Sequence, residues 1–176
     1  MQLRIQRMLK KIPNYIKYIF TNVFFLFVFI LIFRILFYSF FAQLENVSAS
    51  ELNASFWLGF RFDLKLAILS FFPITLFVLI TNYNFFKRVI YQKIASIYIL
   101  LTYFTLTLFF LFDFGYYDYL SIRLDASSLR FLSNLKISSQ VLVESYPIYK
   151  GIFGLLLLCF VIYKTSKFIY YYFCNF

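Results

Sequence analysis

Two segments of the chain carry charged side chains whose types and spacing could bind a phosphate group. In the first, GFRFDLKLA at residues 59–67, Arg61 and Lys65 are four positions apart, so a helix places them on one face. Like charges on one face repel unless an anion lies between them, and an arginine fork is well shaped for phosphate. Asp63 lies about 200° around the helix from Arg61 and points elsewhere. We therefore predict that Arg61 and Lys65 hold a lipid headgroup; the simpler alternative is general contact with the headgroup layer.

The second segment is DFGYYDYLSIRLDASSLRFL, at residues 113–132, the longest polar passage between apolar segments in the middle of the chain. It contains three of the seven acids and two arginines. Arg123 is the third candidate for headgroup binding. Asp113 and Asp125 are candidates for structural ion pairs, and Asp125 also precedes a sequence typical of a helix start.

Arg34 lies inside the first apolar segment of the chain. The simpler interpretation is that its long side chain lifts the guanidinium to the membrane interface. The alternative is an ion pair with Asp63 or Asp113, because an intramembrane charge usually has a partner. The structural alternative to headgroup binding is that Asp63 and Asp113 form ion pairs with Arg34 or Arg123. The sequence favours neither interpretation over the other.

The sequence offers no catalytic residue and no metal ligand set of its own. It contains no histidine and two cysteines, Cys159 and Cys174, both in apolar surroundings. Their spacing matches neither a metal motif nor a disulfide framework. Covalent catalysis needs a nucleophile and an activating group within hydrogen-bond reach, and no segment supplies both.

Composition indicates an integral membrane protein. The chain is 63% hydrophobic and 14% charged, whereas soluble domains are about half apolar and about a quarter charged. The net charge of +10 would suggest nucleic acid in a soluble protein. Here the positive charges cluster beside apolar segments, so we predict a phospholipid partner and no nucleic acid.

We predict four apolar spans across the hydrocarbon core, which takes about 20 helical residues. They run over residues 18–41, 60–81, 94–112 and 148–162. Pro73 should kink the second segment. A short amphipathic helix starting at Asp125 should lie in the interface on the extracytoplasmic side. The predicted fold is therefore all-α: about four transmembrane helices, this interfacial helix, and the start of a fifth helix.

The distribution of charge predicts the orientation. Ten basic residues and no acid fall in the segments before the first span, between the second and third, and after the fourth. All seven acids fall on the other side, which places the N-terminus in the cytoplasm. The predicted organisation is a basic leader at residues 1–17 and a transmembrane domain at 18–167 with extracytoplasmic loops at 42–59 and 113–147. An apolar stub of a truncated fifth helix follows at 168–176.

Three motifs resemble the N-terminal membrane domain of lipoteichoic acid synthase-like phosphotransferases, within the sulfatase and alkaline phosphatase superfamily. They are RFDL at 61–64, the pattern DxGYYxYLxxRLDASxLxFL at 113–132, and ESYP at 144–147. They occur in the family's order and spacing.

This resemblance implies a bacterial cytoplasmic membrane protein in which such a domain lies beside the lipid substrate. Family members carry a large extracytoplasmic catalytic domain with a threonine nucleophile and a divalent metal, and they transfer phosphoglycerol or phosphoethanolamine from phospholipid. This chain departs from that pattern, since it has no histidine and ends near the expected fifth helix. We expect a membrane anchor without the catalytic domain, which the same or another chain would supply, and no cofactor in this chain.

The alternative is a self-standing small membrane protein, such as a transporter subunit or an assembly factor, with no transferase chemistry. Transport would predict charged groups near mid-membrane and broken helices in repeated positions. Apart from Arg34, the ionisable residues lie at the ends of the apolar segments, which disfavours an ion path.

Overall fold

The computed structural model describes residues 13–41, 49–81, 85–124 and 148–174. These ranges contain four helices and no strand: α1 (Asn14–Phe41), α2 (Ala49–Thr81), α3 (Val89–Leu120) and α4 (Ile148–Cys174). All four are long and apolar enough to cross a membrane. The protein therefore has the all-α, multi-pass fold that its composition predicts. The predicted interfacial helix, the basic leader before residue 13 and the ESYP motif lie outside the described residues.

The helices are longer than the hydrocarbon core requires. They contain 27 to 33 residues, which corresponds to about 40–50 Å of helix against a core of about 30 Å. Large apolar side chains cover their outer surfaces, among them Phe20 (73% exposed), Leu69 (71%) and Ile80 (82%). Such exposure is costly in water and favourable in lipid, so the tertiary structure has the surface of a membrane protein.

Each helix extends beyond the limits that apolarity predicts, and for α2 and α3 this changes the expected loops. α2 begins at Ala49, so residues 49–59 are helical and not part of the loop expected at 42–59. α3 continues to Leu120, so residues 113–120 are helical and the expected loop at 113–147 begins later. Hydropathy detects only the part of a helix that lies in hydrocarbon. Backbone hydrogen bonds continue the helix into the interface wherever no residue breaks it.

The segment expected to start a fifth helix instead continues α4. One uninterrupted helix runs from Ile148 to Cys174. No glycine or proline follows Gly154 in the sequence, so nothing in the backbone interrupts the helix after the predicted boundary at 162. Ile169 and Tyr170 are 6% and 3% exposed, which makes this part of α4 a contributor to the core.

The chain divides into two compact units, residues 1–99 with 163–176, and residues 100–162. Within the first unit α1 packs on α2. Their buried residues recur every three or four positions, which is the spacing of one helical face. On α1 they are Tyr18, Asn22, Leu26 and Ile30, and on α2 they are Asp63, Ala67, Phe71, Ile74 and Val78.

A cluster of aromatic rings packs together in the first unit, near the start of α1 and the end of α4. Its members are Tyr18, Phe85, Phe86, Tyr170 and Phe173. The ring of Tyr18 lies 5.2 to 6.5 Å, centroid to centroid, from the other four rings. The Tyr170 hydroxyl donates to the carbonyl oxygen of Phe85 at 3.0 Å. The end of α4 is thereby attached to the segment between α2 and α3.

Candidate functional site

Arg34 and Asp63 form a two-point ion pair between α1 and α2. The Nε–H of Arg34 donates to Oδ2 of Asp63 at 2.5 Å, and Nη2 donates to Oδ1 at 2.6 Å. Both residues continue the buried faces of their helices, since Arg34 follows Ile30 by four positions and Asp63 precedes Ala67 by four. The two side chains are 19% and 7% exposed. This planar, side-on geometry is the strongest form of carboxylate recognition by arginine.

Gly59 makes room for this ion pair. It lies one helical turn before Asp63, on the same face of α2. Nη2 of Arg34 also donates to the Gly59 carbonyl oxygen at 3.2 Å. A Cβ atom at this position would lie 2.5 Å from Cζ of Arg34 and closer still to Nη1. A residue larger than glycine would therefore displace the guanidinium. Gly59 was not predicted from the sequence, although its spacing from Asp63 is a usable signal.

Arg61 and Lys65 lie on a different face of α2, and both are exposed. The Lys65 ammonium lies 5.5 Å from the centroid of the Phe62 ring, three residues toward the N-terminus of the helix. Side chains on a helix lean in this direction. The ammonium of Lys65 therefore lies closer to Arg61 along the helix axis than the Cα atom of Lys65 does.

Trp57 extends the same face by one further turn. Trp57, Arg61 and Lys65 are successive positions at a spacing of four, which places them in one row along the helix. The indole is 61% exposed and stacks on Phe60, with ring centroids 5.5 Å apart and planes 4° from parallel. The row therefore carries an exposed aromatic ring followed by two cations.

The ion pair with Arg34 determines the net charge of this row. Asp63 is the only acid between Asn53 and Thr81, and Arg34 neutralises it. Within the described residues no salt bridge involves Arg61 or Lys65. Among the described residues, the exposed face of α2 consequently presents two positive charges that form no salt bridge with a carboxylate.

Asp113 organises the end of α3 in the second unit. It is 7% exposed and accepts two hydrogen bonds from the chain that follows the helix. Nη2 of Arg123 donates to Oδ2 at 2.6 Å, and the backbone N–H of Leu124 donates to Oδ1 at 2.9 Å. The Arg123 side chain is 58% exposed. Asp113 thus acts as an anchor that folds residues 123 and 124 back onto α3.

Ser121 makes this reversal possible. Its φ of 56° lies in the left-handed region, and its N–H donates to the Tyr117 carbonyl oxygen at 2.7 Å. This is the αL motif that terminates many helices, in which glycine is the usual residue. No sequence signal indicates this turn, because serine occupies the position that glycine usually takes.

The structure assigns partners to most of the residues singled out from the sequence. Arg34 pairs with Asp63, one of the two acids considered for it, and is not a side chain that reaches the interface unpaired. Arg123 pairs with Asp113, which occupies at least one of its donors. Arg61 and Lys65 share the exposed face of α2, and Asp125 lies outside the described residues. No cluster of three or more metal-ligating side chains occurs among the described residues.

Comparison with known proteins identifies no relative. No family model matches the sequence, and neither a curated protein nor a solved structure matches it significantly.

Proposed function

We propose that this chain is the membrane domain of a lipoteichoic acid synthase-like phosphotransferase, and that Arg61 and Lys65 bind the headgroup of a membrane phospholipid. The proposal of a headgroup site depends on one observation. Asp63 forms an ion pair with Arg34 and therefore does not neutralise Arg61 or Lys65. The family assignment rests on RFDL, the 113–132 pattern and ESYP. Transfer chemistry, with its divalent metal, would belong to a catalytic domain in the same or another chain.

Electrostatics favour an anion between the two cations. Arg61 and Lys65 are about 6 Å apart along the helix axis. In water, two unit charges at that distance repel by about 0.7 kcal/mol, and the repulsion grows where the membrane lowers the dielectric constant. A phosphate diester placed against both groups removes this repulsion and accepts their N–H donors. Arg34 serves the site indirectly, because it keeps the nearby carboxylate of Asp63 from repelling the same anion.

The depth of the row agrees with a headgroup ligand. Exposed tryptophan side chains concentrate at the level of lipid headgroups, and Trp57 precedes Arg61 by one turn. Lys65 lies one turn deeper, and its lean toward Phe62 brings the ammonium nearer to the same level. With the cytoplasmic N-terminus that charge segregation predicts, this end of α2 faces the outer leaflet of the bacterial cytoplasmic membrane.

Lipid retention by the purified protein tests the headgroup site. Each basic residue near an anionic surface contributes about 1 kcal/mol, so Arg61→Gln with Lys65→Gln should weaken binding of anionic phospholipid about 30-fold. The protein is equilibrated with micelles that contain both phosphatidylglycerol and phosphatidylcholine. Native mass spectrometry then measures how much of each lipid stays bound. The matched control is Arg88→Gln with Lys93→Gln, which removes the same charge from two other exposed residues. Equal lipid retention by both double variants would refute the site.

The size of the native product tests the assignment to a transferase. An epitope tag is placed at the N-terminus in the native gene, and membranes are blotted for it. We expect either a product several hundred residues longer than this 21.3 kDa chain, or a catalytic polypeptide that co-purifies with the tagged chain. A 21.3 kDa band that co-purifies with no metal-dependent phosphotransferase activity would contradict the assignment. It would leave the headgroup site to be judged by the lipid experiment.

A further inference from the structure

Three segments of the first unit each carry a lysine within three positions of a ring of the aromatic cluster. These neighbours are Lys17 and Tyr18 on α1, Lys87 and Phe86 in the turn before α3, and Lys167 and Tyr170 on α4. The segments are in contact, because the Phe86 ring lies 6.0 Å from the ring of Tyr18 and 5.4 Å from that of Tyr170, centroid to centroid. The packed rings therefore gather the three lysines at one end of the unit.

The sequence places no acidic side chain in the segments that contain these lysines. All seven acids fall within residues 45–63 and 113–144. Lys167 keeps its charge at the surface of α4, since its ammonium lies 4.7 Å from the centroid of the exposed Tyr163 ring. Positive charges gathered at one surface repel one another, and the repulsion grows where the membrane lowers the dielectric constant. An anion from outside the chain would offset this repulsion.

The surface beside each lysine is apolar. An exposed apolar side chain follows each of the three within three positions along the chain: Phe20 (73% exposed), Val89 (66%) and Phe168 (71%). A free phosphate ion or a nucleic acid would leave these side chains in water, which is unfavourable. A phospholipid instead places its phosphate against the ammonium groups and its acyl chains against the apolar side chains. The anion that fits this surface is therefore amphipathic.

We infer that Lys17, Lys87 and Lys167 bind anionic phospholipid in the leaflet on the side of the N-terminus. Basic residues of several transmembrane helices that meet at one membrane surface are a recognised binding site for anionic headgroups. This site is separate from the row near the start of α2, because the aromatic cluster follows the end of that helix. The 33 residues of α2 span about 50 Å, so the two sites contact opposite leaflets.

Anionic lipid at this site links the composition of the membrane to the packing of the helices. The Tyr170 hydroxyl donates to the Phe85 carbonyl oxygen at 3.0 Å, and Nδ2 of Asn14 donates to the Phe173 carbonyl oxygen at 3.4 Å. These bonds hold the end of α4 against α1 and against the segment before α3. Repulsion between the lysines of the same segments opposes this packing. An anionic headgroup that reduces the repulsion therefore stabilises the first unit.

Lipid retention tests the site in a chain that already carries Arg61→Gln and Lys65→Gln, so that the row on α2 does not contribute. Addition of Lys17→Gln and Lys167→Gln should weaken retention of phosphatidylglycerol relative to phosphatidylcholine about 30-fold, as measured by native mass spectrometry.

The matched control adds Arg88→Gln and Lys93→Gln to the same starting chain. It removes the same charge from exposed residues, but the Arg88 guanidinium lies over the Tyr91 ring of α3 at 5.9 Å. Retention should change little in the control. Equal loss in both chains would show a general effect of charge at this membrane surface and would overturn the inference.

Two further measurements separate charge from misfolding and lipid from free phosphate. Lys17→Arg with Lys167→Arg keeps both charges and should retain phosphatidylglycerol as the starting chain does; loss of the lipid would show that the lysines act through packing. Inorganic phosphate, added at constant ionic strength, should not displace the lipid, and displacement would contradict a phospholipid site. Phosphatidylglycerol should also raise Tm in phosphatidylcholine nanodiscs more for the starting chain than for its Lys17→Gln, Lys167→Gln derivative. An equal rise in both would contradict a role for these lysines.

Discussion

Arg34→Met should destabilise the protein strongly, because it leaves the buried carboxylate of Asp63 without its cation. Asp63 would lose both hydrogen bonds that Arg34 donates to it. Removal of one member of a buried ion pair costs about 3–5 kcal/mol, whereas exposed pairs contribute about 0.2–1 kcal/mol. Side-chain exposures of 19% and 7% place this pair near the buried limit, so a loss of about 3 kcal/mol is expected.

The double variant Arg34→Met with Asp63→Leu separates the cost of the unpaired charge from the loss of packing. Replacement of a whole buried pair by apolar residues is often neutral or stabilising. The double variant should therefore be considerably more stable than Arg34→Met alone, even though it carries one more substitution. This recovery is the signature of a coupled pair.

Thermal unfolding in detergent, followed by far-ultraviolet circular dichroism, measures both effects. A loss of about 3 kcal/mol corresponds to a decrease in Tm of about 6–12 °C for a chain of this size. Arg88→Met is the matched control, because Arg88 is exposed and its described contact is with the Tyr91 ring, at 5.9 Å. The ion pair would not be the source of stability if Arg34→Met changed Tm no more than Arg88→Met, or if the double variant were no more stable than the single one.

Two further predictions concern backbone positions. Gly59→Ala should destabilise the protein by about 1–3 kcal/mol, as overpacking does, because its Cβ would meet the Arg34 guanidinium. Alanine otherwise favours a helix over glycine by about 1 kcal/mol, so the same change in an Arg34→Met background should be stabilising; an unchanged sign would contradict the proposed contact. Ser121→Gly should stabilise by about 1 kcal/mol, because glycine adopts a φ of 56° without the penalty of an L-residue. Ser121→Val should do the opposite, and equal Tm values for the two Ser121 variants would show that this conformation is unstrained in solution.

The pairing of charges shows where sequence reasoning reached its limit. The sequence indicated that Arg34 either reaches the interface or pairs with Asp63 or Asp113, and the two partners could not be separated. The choice depends on how α1 and α2 are rotated about their axes, and Asp63 is 29 residues from Arg34 in the chain. Gly59 and Ser121 were not predicted either, because the close approach at Gly59 and the left-handed turn at Ser121 appear only in the assembled structure.

The sequence by itself determined the class of the protein. Each transmembrane helix forms its own backbone hydrogen bonds and meets lipid with its own apolar side chains, so composition and segment length suffice to predict four spanning helices. Only the tertiary structure decided where the helices end, which carboxylate neutralises Arg34, and that no salt bridge in the described part of the chain involves Arg61 or Lys65. These properties depend on helix rotation and register, which arise from packing between segments that are distant in sequence.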